Sequence, residues 1–438
     1  MSIDLGKLLL KKKHFSKAIF VLKKILENKP EDLRANFQMG KVYYELNDLN
    51  KSTKFFKICD QIQPKNPNVL FNLALLLQGA GKIEEAKKKY LELISINPKD
   101  IKSYYGLSLL NIDNIVPELY DNLKKIYEKE KISLFERSLV NFIFSKIEKK
   151  NNNFKTEIDY LKLSHEQCYE SNLSLNNQSD FYYNNIISNY FNKIKFKKNI
   201  HPVKEFNSSK NIFILGVPRS GSTLVETIIS HNNDNIHSFG EFHGINTSIL
   251  DQIGKTIFKK NFDHNNYQLL LDKTVFQESL IEKYDNFEKK IFIDKSLENF
   301  FNIEIILMFF PNAKFLNTYR NFNDSVIGIY QTMLPKLSWS HKIDNIINYI
   351  NLYKKTIKYF KEKYPDKIID IDLHKLTAEK EIETKKILKF CEIEPNKDFL
   401  DFDKNKKLFN KTNSFLQVRE KIQRYEDEKY KPYYNLIK

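Results

Sequence analysis

The stretch GVPRSGST, Gly216–Thr223, follows an apolar run and opens an amphipathic one. It comes within one residue of the phosphate-cradling pattern G-x-x-x-x-G-K-[ST], with Ser222 standing where the lysine belongs. A strand leading into such a turn, and a helix leading out of it, aim several backbone N–H groups and a helix dipole at one anion. Ser220, Gly221 and Ser222 supply that backbone, Thr223 adds a hydroxyl and Arg219 adds a charge. In a nucleoside triphosphatase the lysine reaches the β- and γ-phosphates, and the Ser/Thr after it holds Mg2+. Its loss argues against triphosphate hydrolysis and leaves a pocket for one phosphate-like group. A tight strand-to-helix turn without a ligand is the plainer alternative.

Other residues able to do chemistry follow short β-rich runs. IFIL (Ile212–Leu215) leads into the glycine loop, and NIHSF (Asn235–Phe239) leads into Gly240 and Glu241. KIFI (Lys290–Ile293) leads into Asp294 and Lys295, KFLNTY (Lys314–Tyr319) into Arg320, and KIIDIDL (Lys367–Leu373) reads as a fifth strand. Helical patterns separate these runs, which marks a parallel sheet with crossover helices. Ligands of such sheets sit beyond the carboxyl ends of the strands, so Arg219, Glu241, Lys295 and Arg320 are expected to converge on one crevice. Each has a structural alternative: a cap or ion-pair role for Glu241, and a surface pair with Asp294 for Lys295. His237 and His243 flank Glu241 and compete with it for the role of a base. Arginine occurs six times in a lysine-dominated chain, at 34, 137, 219, 320, 419 and 424, which points to places where a forked donor is needed.

The first third is built on a different pattern. Stepping by thirty-four aligns Gly6, Gly40, Ala74 and Ser108, and beside them Leu5, Met39, Leu73 and Leu107. Ala18, Ser52 and Ala86 form a second small column, and Pro30, Pro64 and Pro98 close each unit. Small residues at fixed places let paired helices approach, and the proline ends the second helix of each pair. The pattern resembles the tetratricopeptide repeat. It fades after Asn111, and the chain stays helical from about Val116 to Ile194, with the segment Glu136–Glu166 reading as one more helix pair and NNN and SLNNQSD as loops. Such an array either binds a peptide or protein partner or scaffolds the domain behind it.

Composition bounds the rest. The net charge is +16, but its lysines are spread among Glu and Asn, which reads as a solvated surface rather than a nucleic-acid footprint. No apolar run is long enough to span a bilayer, and the start MSIDLGKLLLKKKHF lacks the order of a secretory signal, so a cytoplasmic protein is expected. Cys59, Cys168 and Cys391 have no metal or redox spacing.

Four segments in order resemble the sulfotransferases that use 3′-phosphoadenosine 5′-phosphosulfate. GVPRSGSTLVE is similar to their 5′-phosphosulfate loop, IDKSLENFFNIEII (Ile293–Ile306) to their Asp-Lys stretch, and FPNAKFLNTYRNFNDSVIGIY (Phe310–Tyr330) to their 3′-phosphate segment. NSFLQVREKI (Asn413–Ile422) is similar to a closing segment of the tyrosylprotein and repeat-bearing branches. The resemblance implies a multidomain chain: tetratricopeptide-like helical repeats over 1–115, a helical extension over 116–205, and a P-loop-like α/β sulfotransferase domain with a parallel sheet over 206–438. It implies that Arg219, Ser220, Gly221, Ser222 and Thr223 hold the 5′-phosphosulfate and Arg320 the 3′-phosphate. Glu241 is implied as the base, Lys295 and Ser414 as stabilising the sulfuryl group and the leaving phosphate oxygen, Gln417 to Ile422, Arg419 among them, as closing over the nucleotide, and Lys429 as meeting the 3′-phosphate. No metal is expected. The acceptor is a hydroxyl on a glycan, a small molecule or a protein tyrosine, and a homodimer stays open. Gly328 stands where the family has a serine on the 3′-phosphate, with Ser325 one helical turn earlier. Glu428-Lys429-Tyr430 replaces a Gly-Arg-Trp element, and DLHKL (Asp372–Leu376) an acidic stretch. A repeat adaptor that binds nucleotide without catalysis and a small P-loop kinase are the competing readings.

Overall fold

The computed structural model describes residues 2–188, 195–196, 210–233, 235–257, 270–284, 291–401, 416, 419–426 and 428–437 of the 438. The amino-terminal part consists of helix pairs α1 (Ile3–Lys11) and α2 (Phe15–Asn28), α3 (Leu33–Glu45) and α4 (Leu49–Ile62), and α5 (Pro67–Gly79) and α6 (Ile83–Ile96), followed by α7 (Ile101–Leu110). Asp32 and Asp48 cap α3 and α4 by accepting the N–H of Ala35 and Lys51, and Pro67 opens α5 where no N–H partner is needed. Pro30, Pro64 and Pro98 each stand two residues beyond a helix end. The small columns do what their size predicts. Ala18, Ser52 and Ala86 are wholly buried, and a Cβ on Gly40 would lie 3.0 Å from the Phe56 ring. Ser52 Oγ donates to Gly40 O at 2.8 Å, so the two columns touch each other.

A second periodicity sits in the turns inside each pair. Lys13, Asn47 and Gly81, thirty-four residues apart, all adopt left-handed backbone with φ of 62°, 59° and 76°.

The extension holds α8 (Pro117–Lys129), α9 (Leu134–Lys150), α10 (Phe154–Glu170) and α11 (Leu173–Phe181), the last running into a π-turn over Tyr182–Ile187. A capping box between Ser133 and Glu136 starts α9. The expected pair is α9 and α10, joined through the NNN turn. The expected loop SLNNQSD is instead helical, within α11. Its polar residues are spent on α10: Asn176 Nδ2 donates to Tyr169 O at 2.8 Å, and Tyr169 OH donates to Asp180 Oδ2 at 2.6 Å.

Five parallel strands form the sheet: β1 (Lys210–Gly216), β2 (Ile236–Ser238), β3 (Ile291–Asp294), β4 (Lys314–Tyr319) and β5 (Ile368–Asp372), in the order β2-β3-β1-β4-β5. The helices between and after them are α12 (Ser222–His231), α13 (Gly244–Ile257), α14 (Lys273–Tyr284), α15 (Ile303–Phe309), α16 (Phe322–Tyr330), α17 (Ile343–Lys363), α18 (Leu373–Ala378) and α19 (Lys380–Phe390). Side chains alternate across β1. Ile212 and Ile214 pack with Val225, Ile228 and Leu388 on one face. Phe213 and Leu215 join a larger core on the other, which continues through Phe242 to Phe15, Met39 and Phe142 of the helical part. Repeats, extension and sheet therefore share one core. Cys59, Cys168 and Cys391 are buried free thiols. No helix among the described residues is long and apolar enough to cross a membrane.

Candidate active site

The glycine loop leaves the central strand at Gly216, whose Cα registers with Thr318 on β4. A Cβ on Gly216 would lie 2.6 Å from Thr318 O and Oγ1, so the loop needs glycine in order to lie against β4. Gly221 has φ of 91°, and a Cβ there would meet Leu373 at 2.6 Å. Between them Arg219 takes a left-handed backbone, φ 68°, which is uncommon for a side chain of its size. Thr318 Oγ1 donates to Leu215 O at 2.8 Å, which leaves Ser220 Oγ to donate to Thr318 Oγ1 at 2.7 Å. The loop is thus braced from the neighbouring strand, and α12 starts at its rim with Ser222 and Thr223 buried.

Lys295, at the tip of β3, is 1% exposed and points at this rim. Its Nζ donates to Thr223 Oγ1 at 3.2 Å and lies 3.2 Å from Glu226 Oε2 and 3.4 Å from Glu241 Oε1. Burial disfavours the ammonium, but the two carboxylates outweigh it and hold the lysine pKa above its ordinary value. Pairing of β2 with β3 brings Glu241 here: Lys295 N donates to Gly240 O and Phe239 N to Ile293 O, both at 2.9 Å. Glu226 Oε1 also accepts from Ser238 Oγ, while the Glu241 side chain stays 49% exposed. Asp294 turns the other way, accepting Ser296 N at 2.7 Å, so Asp294 and Lys295 do not form a surface pair.

His243 is ion-paired with Glu298. The Glu298 charge, against the effect of burial, raises the His243 pKa to about 9. A protonated imidazole is a poor general base at neutral pH, which favours Glu241 over His243. His237 lies in β2, with its ring edge-on to Phe239 at 4.8 Å.

Arg320 follows β4 and is 9% exposed. Its Nη2 donates to Asp324 O at 2.6 Å, and its guanidinium lies 5.0 Å from the Tyr430 ring centroid. The hydroxyls of Tyr425 and Tyr430 each lie 3.5 Å from Nη1. Among the described residues Arg320 Nε has no hydrogen-bond partner. Gly328 contributes space rather than a ligand atom, since a Cβ there would lie 1.8 Å from Arg320 Nη2. Ser325 Oγ is engaged with Asn321 O at 2.8 Å. Asp324 accepts from Tyr425 OH at 2.6 Å and Tyr434 OH at 2.5 Å, which ties the carboxyl-terminal segment to α16.

The Arg219 pKa is lowered, by burial first and then by the Arg320 charge, against the pull of Tyr430. For Tyr430 burial opposes ionisation, yet Arg320, Lys429 and Arg219 together hold its pKa below the usual tyrosine value. Lys429 Nζ is 5.7 Å from the Tyr430 ring centroid, and Glu428 pairs with Lys431.

Arg419, expected on the nucleotide, is in contact with the repeats. Its Nη2 donates to Gly79 O at 2.6 Å, and a Cβ on Gly81 would collide with its guanidinium at 2.4 Å. Ser414 and Gln417 lie outside the described residues. The other two left-handed turns also meet the sheet domain. Asn47 Nδ2 donates to Ser238 O at 3.0 Å, and Lys13 Nζ stands 5.6 Å from the Phe242 ring centroid. The repeats therefore buttress the Ser238–Phe242 loop that carries Glu241. Sequence reasoning missed this row, although its spacing of thirty-four was available. It also missed Glu226, one helical turn beyond Thr223 and so on the same face of α12.

Fold and site together define a P-loop-like α/β domain joined to an array of paired helices. Residues 211–397 match the sulfotransferase family, and residues 33–66 and 67–100 match the tetratricopeptide repeat. The chain thus joins tetratricopeptide repeats to a sulfotransferase-family domain. Over 425 residues it is 24% identical to a protein of Aquifex aeolicus (strain VF5) described as uncharacterized, covering 93% of this chain and 54% of that one. Over 146 residues, 32% of this chain and 16% of the relative, it is 31% identical to Protein O-mannosyl-transferase TMTC3 of Homo sapiens. The mouse protein of that name is 32% identical over 115 residues, 26% of this chain and 12% of the relative. The chain spans about half the length of the Aquifex protein and a smaller share of the other two.

Proposed function

We propose that this protein transfers a sulfuryl group from 3′-phosphoadenosine 5′-phosphosulfate to a hydroxyl acceptor. The observation that carries the reading is the meeting at Lys295 Nζ of the glycine loop, through Thr223, and the solvent-facing carboxylate of Glu241. The residues fit such a donor: the loop from Gly216 to Thr223 for the phosphosulfate, and for the 3′-phosphate the buried Arg320, whose Nε has no partner among the described residues. Gly328 serves that end by making room for the guanidinium. Lys429 borders it, and Ser414 and Gln417 join the site by resemblance alone.

When bound, the donor supplies the sulfuryl group, and charge gathers on the oxygen that leaves with the phosphate. Lys295 and the N–H groups of the loop stabilise that charge from fixed positions. Glu241 takes the proton of the acceptor hydroxyl, which is a poor nucleophile until a base shares it. Glu226 keeps Lys295 charged and in place while Glu241 engages the acceptor.

The test is incubation with isotopically labelled donor and a panel of glycan, small-molecule and tyrosine-peptide hydroxyls, read by mass spectrometry. Labelled product is expected. Tight binding of adenosine 3′,5′-bisphosphate with no transfer to any acceptor would favour a nucleotide-binding adaptor. Preference for ATP with Mg2+ would favour a kinase.

A further inference from the structure

The carboxyl-terminal segment brings two tyrosine hydroxyls to one carboxylate beside Arg320. Tyr425 OH donates to Asp324 Oδ2 at 2.6 Å, and Tyr434 OH donates to Asp324 Oδ1 at 2.5 Å. Both oxygens of that carboxylate are thereby engaged, and the residue is 2% exposed. Each tyrosine is itself held. Tyr425 N donates to Thr377 Oγ1 at 3.1 Å, and its ring lies 4.2 Å from that of His374. Tyr434 follows Tyr433, whose hydroxyl donates to Glu157 Oε2 of α10 at 2.5 Å.

Asp324 stands four residues beyond Arg320, and its backbone O already accepts from Arg320 Nη2 at 2.6 Å. A carboxylate so placed is the usual partner of a guanidinium. The two side chains are nevertheless not ion-paired. The Tyr425 hydroxyl stands between them, 2.6 Å from Oδ2 and 3.5 Å from Arg320 Nη1. A hydroxyl has one proton, and an ionised carboxylate can only accept, so Tyr425 turns a lone pair rather than a proton to Arg320. Burial first, then the hydrogen bond and charge of Asp324, raise the pKa of both tyrosines against the Arg320 charge, that of Tyr434 to about 12, so both remain donors at neutral pH. The Asp324 charge is thus taken up by two neutral donors. Arg320 is buried, with an Nε that has no partner among the described residues, and it keeps its own charge for an anion.

We propose that Tyr425 and Tyr434 are positioning residues for recognition of the 3′-phosphate: their hydroxyls hold the Asp324 carboxylate away from Arg320, so the guanidinium meets the phosphate without first giving up an ion pair. This inference rests on the donor reading above. Without the hydroxyls the buried carboxylate is left without its donors, which is costly, and the guanidinium is the cation within its reach. The ion pair so formed competes with the 3′-phosphate for one cation.

Calorimetry with adenosine 3′,5′-bisphosphate and with adenosine 5′-monophosphate, which lacks the 3′-phosphate, separates this role from a general loss of shape. The wild type is expected to bind the bisphosphate more tightly than the monophosphate. The double substitution Tyr425→Phe with Tyr434→Phe keeps both rings. It should bind the bisphosphate roughly tenfold more weakly and the monophosphate as the wild type does. Adding Asp324→Asn to it should restore most of the lost affinity, because an amide carries no charge with which to compete. Thermal unfolding shows which variants are folded. Tyr425→Phe alone, with and without Asp324→Asn, carries the same comparison if the double substitution does not fold. An unchanged bisphosphate affinity, an equal loss for both nucleotides, or a loss that Asp324→Asn leaves in place would each overturn the inference, while a wild-type preference for the bisphosphate keeps the donor reading standing. A wild type that binds both nucleotides alike would overturn both.

Discussion

The guanidinium of Arg320 occupies the volume that a side chain at 328 would need: a Cβ on Gly328 would stand 1.8 Å from Nη2. A serine at 328, which the sequence resemblance leads one to expect, is therefore incompatible with the arginine conformation seen in this protein. Gly328→Ser should displace Arg320 from Asp324 O and weaken bisphosphate binding by roughly tenfold, the worth of one charge-assisted hydrogen bond. Arg320→Ala should cost about 1.5–3 kcal/mol in the same titration. Tighter binding by the serine variant would show that the glycine is a lost ligand rather than a made space.

The two carboxylates on Lys295 separate by role. Glu241→Gln should leave bisphosphate affinity near the wild-type value and slow transfer by roughly 10²–10⁴, the range for a removed general base. Glu226→Gln removes the charge of the more deeply buried partner of Lys295, so it should lower stability by about 1–3 kcal/mol as well as activity. Full turnover by Glu241→Gln would move the base elsewhere.

The pair of His243 and Glu298 gives a pH signature. The folded pKa of His243, about 9, lies above its ordinary value of about 6.5, so the pair stabilises the fold fully below the lower figure and loses that contribution as pH rises through the higher. On the carboxylate, burial works the other way but the His243 charge wins and holds the Glu298 pKa below its ordinary value, so its share is lost as pH falls into the acid range. Urea unfolding of the wild type should show declining stability between these limits on the alkaline side, and His243→Gln should flatten that slope. An unchanged slope would exclude the pair as its source.

Asn47 holds the base loop from the repeats and does so from a left-handed backbone. Asn47→Gly keeps that conformation without strain and removes only the hydrogen bond, worth about 0.5–1.5 kcal/mol. Asn47→Ala adds backbone strain of about 1–2 kcal/mol. If the contact positions Glu241, the glycine variant should lose turnover more than its small change in melting temperature accounts for. Unaltered kcat would reduce the contact to simple adhesion.

Much of the fold was legible because its signals are local. Strand tips ending in Gly216, Glu241, Lys295 and Arg320 could be read from short β-rich runs, and the helix pairs from small residues at a fixed period. What escaped depends on which surfaces meet. Arg419 resembles a nucleotide ligand by its motif, and nothing in that motif shows that it also donates to Gly79, 340 residues away in sequence. SLNNQSD has loop composition, but docking on Tyr169 supplies the hydrogen bonds that hold it helical. Glu226 was hidden because a glutamate in a helix carries no mark of what it faces.

The turns at Lys13, Asn47 and Gly81 recur with perfect regularity, while what they touch, Phe242, Ser238 and Arg419, obeys no period at all. Repeat arrays ordinarily grow and shrink by duplicating or dropping whole units. Here a unit gained or lost between residues 13 and 81 would carry at least one turn away from its mate. The array is keyed to the sheet domain like teeth cut for a single lock, and its evolution is free to lengthen it only outside that span.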